Sequence, residues 1–429
     1  MDLMKISVFW FRRDLRIDDN TALNHALASG YPVVPVFIFD KHILQELPGN
    51  DARVGFIHEC LNSINDEFQK MGSSLLCLHD EPLKAWTRLL EQFDIAEVYT
   101  NKDYEPYARE RDEQIKKLLN GNGINFFSFK DQVIFEEGEV LKADGTPYTV
   151  FTPFKNKWLD TFHNALKDDS VDPNFKTLYK EKFPFPALES LGFEKGAIRV
   201  KPFDLENISD YKNTRDFPAL NTSHLSPHLR FGTVSIRQVI ERLKPSQATF
   251  LSELIWREFF MQILFHFPRV VNENFKIKYN GIEWRNNEEE FNRWCEGKTG
   301  YPMVDAGMRE LNNTGYMHNR VRMVTASFLC KHLLIDWQWG EAYFAKKLLD
   351  YELSSNNGNW QWAAGTGCDA APYFRIFNPE SQLKKFDKDL VYVKKWVPEY
   401  GTPEYPAPMV DHKMARERAL EAYKVGIGA

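Results

Sequence analysis

Ile6-Ser7-Val8-Phe9-Trp10-Phe11 and, one helical interval later, Val33-Val34-Pro35-Val36-Phe37-Ile38-Phe39-Asp40 are short runs of β-branched and aromatic residues. Comparable runs recur at Leu75 to Leu78, Ala96 to Thr100 and Ile124 to Phe129, and amphipathic stretches such as Arg53 to Met71 and Pro106 to Leu119 separate them. Strand and helix in alternation predict a parallel, doubly wound α/β domain over residues 1–130. No GxGxxG turn accompanies it, so a dinucleotide fingerprint is absent. A ligand of this domain is placed only by topology, at the carboxyl ends of the strands. Residues 131–205 turn irregular, with Pro147, Pro153, Pro173, Pro184 and Pro186, and read as a long connector over the surface. From 206 to 429 the period is helical, with pieces at Ser235 to Leu243, Ser252 to Phe265, Val304 to Leu311, His318 to Leu334 and Ala342 to Leu349, which predicts an all-α domain.

The bulk numbers bound the class. At 429 residues, 43% hydrophobic and 27% charged, the chain is long enough for two or three domains and a cofactor-sized pocket. It has no run of eighteen apolar residues, and Met1 to Lys5 lead straight into a strand-like segment, so no membrane span or signal peptide is expected and the location is expected to be cytoplasmic. Cys60, Cys77, Cys295, Cys330 and Cys368 are odd in number with no CxxC pair, which argues against a disulfide framework and a zinc site. The net charge of −6 decides nothing about nucleic acid, because that footprint is local.

Eight of the eleven tryptophans lie at or beyond Trp256, which points the unusual chemistry to the C-terminal part. The segment Ser354 to Gly367 holds Trp360 and Trp362, rings that offer a large stacking face and are easily oxidised. In Ser252 to Phe260, Glu253, Trp256, Arg257 and Phe260 fall at i, i+3, i+4 and i+7 of a helix, a face that suits a base; the alternative is a core helix with an internal Glu253–Arg257 ion pair. Thr222-Ser223-His224-Leu225-Ser226-Pro227-His228 is a hydroxyl-rich turn into a helix, either a phosphate cradle or a plain capping turn, and its His224/His228 spacing is interrupted by Pro227. Arg322 and Asp350 carry the charges for a buried pair, and Asn356 offers an amide that cannot ionise. Arg375 to Lys395 mixes Lys384, Lys385, Lys388, Lys394 and Lys395 with Asn378, Gln382 and aromatic rings, a pattern for phosphate contact or a solvated basic face.

Together with the opening Phe9-Trp10-Phe11-Arg12-Arg13-Asp14-Leu15-Arg16, the segment Gly297-Lys298-Thr299-Gly300-Tyr301-Pro302 and His318-Asn319-Arg320, these segments stand in the order of the photolyase/cryptochrome family, and the chain resembles that family over nearly its whole length. The resemblance is nearest to class I photolyases of cyclobutane pyrimidine dimers. It implies an α/β antenna domain, a connector and a helical domain that holds FAD, reduced and anionic when active; for the antenna site a deazaflavin, a second flavin or an empty pocket all stay open. Tyr211, Thr222, Ser223, Leu225 and Ser226 resemble the pyrophosphate and ribose contacts, with His224, Phe250, Arg257, Asn319, Tyr351 and Glu352 completing the cofactor set. Arg322 and Asp350 correspond to residues against the isoalloxazine, and Asn356 to the one facing flavin N5.

The family's electron relay corresponds to Trp360, Trp337 and Trp294, in order from flavin to surface. Glu253, Trp256, Asn319, Met323 and Trp362 resemble the dimer pocket, with Glu253, Asn356 and Met323 as the catalytic set, and Arg215, Arg257, Arg320 and Gln382 as further DNA contacts. The paired histidines of animal-type (6-4) photolyases are missing near His318 and Met323, and Asn356 stands where plant cryptochromes have Asp. Three positions depart from the pattern: Glu352 for Asp, Phe250 for Trp, and Ala108 for the Glu that contacts folate in folate-type relatives. The implied function is light-dependent repair of cyclobutane dimers by electron transfer from excited FAD, with UV-damaged DNA as partner, no metal, a monomeric state and, in a prokaryote, a nucleoid location. The alternative implied is a cryptochrome-like blue-light receptor, against which the absence of a C-terminal extension argues.

Overall fold

The computed structural model describes residues 4–164 and 173–428. It divides into two compact units, the first made of residues 1–140, 158–202 and 225–243, the second of 141–157, 203–224 and 244–429.

The first unit is built on five parallel strands, β1 (Lys5–Phe11), β2 (Val33–Asp40), β3 (Leu76–Asp80), β4 (Asp94–Asn101) and β5 (Asn125–Phe129), in the order β3-β2-β1-β4-β5. Strand residues alternate between faces, and both faces are covered. Phe9, Phe11, Phe37 and Phe39 pack with Leu23, Leu61 and Phe68. Ile6, Val8, Trp10, Val34, Val36 and Ile38 pack with Trp86, Leu89, Ile115 and Leu119. Asn20 and Asp51 accept hydrogen bonds from the first turns of the helices Thr21–Leu27 and Ala52–Lys70, while Pro82 and Pro106 open the next two, where a missing N–H costs nothing.

Residues 225–243, expected in the helical domain, belong to the first unit. Arg237 binds Asp19 and Asp131, and Asp131, buried, also accepts two bonds of 2.7 Å from Arg16. Gly232, with φ +65°, lies where a Cβ would come within 2.3 Å of the Arg13 carbonyl oxygen, so no other residue fits. Residues 131–205, expected as a connector, are shared between the units and contain the helix Phe151–Asn164. Pro153 disguised that helix in the sequence, although proline is tolerated in a first turn.

The second unit is helical. Its core joins Trp294, Met303, Val304, Met308, Leu311, Val321, Phe328, Trp337, Phe344 and Trp360. Two glycines set how closely its helices meet. A Cβ at Gly358 would come 2.1 Å from Phe260, which brings the Leu353–Ala364 helix against Ala248–His266, and one at Gly340 would come 2.1 Å from the Trp360 ring. The stretch expected as one helix from His318 to Leu334 is an α-helix at Asn319–Ser327 followed by a π-turn at Phe328–His332. That widened turn carries Lys331 inside, where its ammonium bonds the Ala364 carbonyl at 2.7 Å and burial lowers it to about 7. Among the described residues no helix is long and apolar enough to cross a membrane, and no group of three or more potential metal ligands occurs.

Candidate flavin and lesion site

On the Ala248–His266 helix, Phe250 is buried and meets Tyr211 edge-on at 5.0 Å. Glu253 accepts a 2.6 Å bond from Arg215, whose guanidinium lies 5.4 Å over the Tyr211 ring. Burial raises the Glu253 carboxyl and Arg215 opposes that rise. The internal Glu253–Arg257 pair is therefore not the arrangement adopted: Arg257 faces Glu352 at 3.9 Å instead, and Glu352 accepts a bond from Ser355. Trp256 stays half-buried among aromatic rings.

The Asn319–Ser327 helix is capped by His318, whose Nδ1 accepts the Arg320 amide at 3.1 Å. Burial lowers this imidazole to about 4, so it is neutral at pH 7 and keeps the lone pair that the cap uses. Asn319 is exposed and Met323 half-buried one turn later. Arg320 binds Asp216 at 2.7 Å and lies over Phe386, and Arg322 reaches Asp350 at 2.8 Å and the Met317 carbonyl at 2.8 Å, the charge pair anticipated from the sequence.

On the Leu353–Ala364 helix Asn356 and Trp360 are one turn apart, and Trp362 and Tyr351 are half-buried against the same core. Asn356 is 8% exposed and its amide nitrogen donates to both the backbone and the carboxylate of Glu341, which makes the amide oxygen the end available to accept. Trp360 meets Trp294 at 6.1 Å between ring centroids and Phe344 at 4.9 Å. Trp337 is buried with its N–H on Asn274. Trp294, expected at the surface, is 0% exposed, with its N–H on the Thr325 carbonyl. The half-buried rings beyond it are Tyr343 at 5.8 Å and Phe291 at 5.8 Å, with Trp339 against Phe291 at 5.3 Å. Helix packing, which residue spacing does not report, puts Trp294 under that layer.

The hydroxyl-rich turn divides. Thr222 is exposed, the Ser223 carbonyl accepts the Asp204 amide, and His224 sits at φ +49° with its ring 5.1 Å from Tyr316, all in the second unit. Leu225 and Ser226 begin the third segment of the first unit, where Ser226 opens the helix Ser226–Phe231. His228 is engaged by the Thr233 hydroxyl at 2.7 Å and the Lys201 carbonyl at 2.8 Å. Gln382 lies in the helix Pro379–Phe386 and its side-chain oxygen is buried without a hydrogen-bond partner among the described residues.

Two family models match, "DNA photolyase" over residues 7–173 and "FAD binding domain of DNA photolyase" over residues 250–403. The deoxyribodipyrimidine photo-lyase of Vibrio cholerae is 37% identical, over 98% of this chain and 99% of its own length. The chain belongs to the photolyase/cryptochrome family. Solved relatives agree in fold: an archaeal photolyase from Sulfolobus tokodaii with two FAD molecules has a TM-score of 0.86 at 35% identity, covering 98% of this chain and 100% of that one. A class III photolyase from Agrobacterium tumefaciens has a TM-score of 0.85 at 34% identity, covering 99% and 98%.

The residues present fit a flavin. Arg322 and Asp350 supply opposite charges in contact, Asn356 supplies a neutral acceptor, and Ser354, on the same helix, buries a hydroxyl that has no hydrogen-bond partner among the described residues. Family resemblance carried no signal for Glu341, which orients Asn356, or for Asp216, which holds Arg320. Neither residue was singled out in the sequence, because each partner is brought in by folding and charge is the one signal that could have pointed to it.

Proposed function

We propose that this photolyase-family protein repairs cyclobutane pyrimidine dimers in DNA in a light-dependent lyase reaction. The observation that carries the reading is the likeness along almost the whole chain to enzymes named for that reaction, joined to an indole-rich helical unit that pairs Arg322 with Asp350 and Asn356 with Glu341. When bound, reduced FAD supplies a light-excited electron that the dimer accepts to open its cyclobutane ring and afterwards gives back.

The chain's own residues do the rest. Asn356, held by Glu341, offers a neutral oxygen where a charged side chain would alter the charge of the cofactor. Arg322, held by Asp350, supplies fixed positive charge beside an anionic ring. Tyr211, Thr222 and Ser223 hold the phosphate and ribose end. A damaged, poorly stacked pair of thymines flips out at a cost of about a few kcal/mol, lower than that of an intact pair, in the manner general to photolyases. Trp256 and Trp362 stack on the two rings, Met323 lines the pocket, and Glu253 and Asn319 bond the pyrimidine edges. Arg215, Arg257, Arg320 and Gln382 hold the flanking strand, positioning without reading sequence. Trp360, Trp337 and Trp294 would carry electrons inward from an external reductant, by way of the half-buried rings that cover Trp294. We further propose a monomer that acts on dimers in single- or double-stranded DNA at the nucleoid, with a second chromophore of unidentified class in the first unit.

The test is direct. Photoreduced protein incubated with a thymine-dimer oligonucleotide under blue light should restore thymines, and none should appear in the dark. Flavin absorbance without turnover in light would replace this reading with that of a blue-light receptor.

A further inference from the structure

Trp256 has one ring face already taken. Phe151 lies flat on it, 3.6 Å between centroids and 8° between planes, whereas Phe259 meets the indole edge-on at 5.5 Å and Phe260 tilts 31° against it at 5.4 Å. A centred, parallel pair is not the arrangement aromatic rings choose for themselves, since offset and edge-on geometries suit their quadrupoles better. The backbone holds it there. Phe151 is the first residue of the helix Phe151–Asn164, and its N–H donates to the Asp369 carboxylate at 2.9 Å. A carboxylate at that end both satisfies an orphan donor and complements the helix dipole. Phe259 then closes on Phe151 from the side at 5.8 Å. Phe151 is itself buried, while Trp256 keeps part of its surface open.

We propose that Phe151 is a positioning residue for lesion recognition: it backs the Trp256 indole, fixes its plane, and leaves a single face on which a flipped pyrimidine can stack. The proposal rests on the reading of Trp256 as the lesion-stacking ring. An indole fixed in advance loses no rotamer freedom when the lesion arrives, so the backing ring acts on affinity for damaged DNA and not on the chemical step.

The experiment compares F151A, F151L, F151Y and W256A, each loaded with FAD. Dark Kd values are measured for an oligonucleotide with one thymine dimer and for its undamaged twin. Repair yield per bound complex and the Tm are read alongside. Leucine keeps comparable bulk without a flat face, and tyrosine keeps the face. F151A and F151L should weaken dimer binding about tenfold, the order of one lost aromatic stack, and F151Y should stay within about twofold. Repair yield per bound complex, the Kd for undamaged DNA and the Tm of F151L should all match the wild type. Normal dimer binding by F151A and F151L beside a W256A that fails to bind overturns the proposal and leaves the pocket reading standing. A W256A that binds dimers normally overturns the pocket reading itself. A loss in F151L that extends equally to undamaged DNA, or that tyrosine does not restore, also overturns the proposal by making the role one of general folding.

Discussion

Each unit of this molecule contains a pair of buried tryptophans in edge-on contact, Trp10 with Trp86 at 5.4 Å in the first and Trp294 with Trp360 at 6.1 Å in the second. The spacing is nearly the same, but the surroundings are not. Trp10 lies beneath two guanidinium groups, Arg12 at 5.1 Å and Arg111 at 4.9 Å, and a positive hole on that ring would meet both charges. Trp294 and Trp360 have Phe344 as a shared neighbour, and the Trp294 N–H points to a carbonyl oxygen, a dipole that favours positive charge on the indole. Ring proximity therefore does not make a relay. In the first unit the tryptophan pair lies under guanidinium charge, and in the second it lies among uncharged rings and a backbone carbonyl.

If that contrast holds, injury to the first unit should cost stability and injury to the second should cost chemistry. The largest effect is expected from Asp131→Ala, which strands the Arg16 and Arg237 charges; loss of a buried partner of this kind costs about 3–5 kcal/mol, read as a fall in Tm or denaturant midpoint. Trp256→Ala should weaken binding of dimer-containing DNA by roughly 1–3 kcal/mol per base stacked while FAD stays bound, measured by anisotropy and flavin absorbance. Unchanged affinity would erase the distinction between the units. Trp294→Phe should slow photoreduction of oxidised FAD by roughly tenfold, equivalent to about 1.4 kcal/mol in the barrier, and spare repair by chemically reduced enzyme. Trp10→Phe should leave photoreduction at the wild-type rate, and an equal slowing in both variants would refute the charge argument.

The smallest effect concerns His318. Its imidazole falls from 6.5 to about 4 on burial, so the neutral form is the one the fold prefers. For a base lowered in this way the stabilising contribution is fully present above about 6.5 and is lost as pH falls toward 4, because the unfolded chain takes up the proton first. Asp216 favours the charged form, and Arg215, Arg320 and Arg322 oppose it. His318→Asn replaces one capping acceptor by another that does not titrate. It should change stability at pH 7 by less than about 1 kcal/mol and flatten the loss between pH 6.5 and 4 in acid-unfolding curves.

The α/β layer was legible because strands buried on both faces must be apolar throughout and the helices between them must be amphipathic. The family motifs marked the residue types of the site, and Arg322 with Asp350 could be paired from charge alone. Segment 225–243 could not be assigned to its unit this way, because what ties it there is a carboxylate more than a hundred residues earlier, Asp131, and a glycine with no room for a side chain. Residues 131–205 looked like linker because proline punctuates them, yet they supply Phe151.

By itself, then, the sequence determined the chemistry on offer: a parallel sheet, a helical unit rich in indoles, a neutral amide at Asn356, and an arginine and an aspartate of opposite charge. The tertiary structure alone decided which ring lies flat on Trp256, which carboxylate orients Asn356, and how deep Trp294 lies. Periodicity along a chain reports which side of its own helix or strand a residue occupies. It carries no information about which distant element will be packed against that side, and that is settled only when burial and hydrogen bonding are satisfied together.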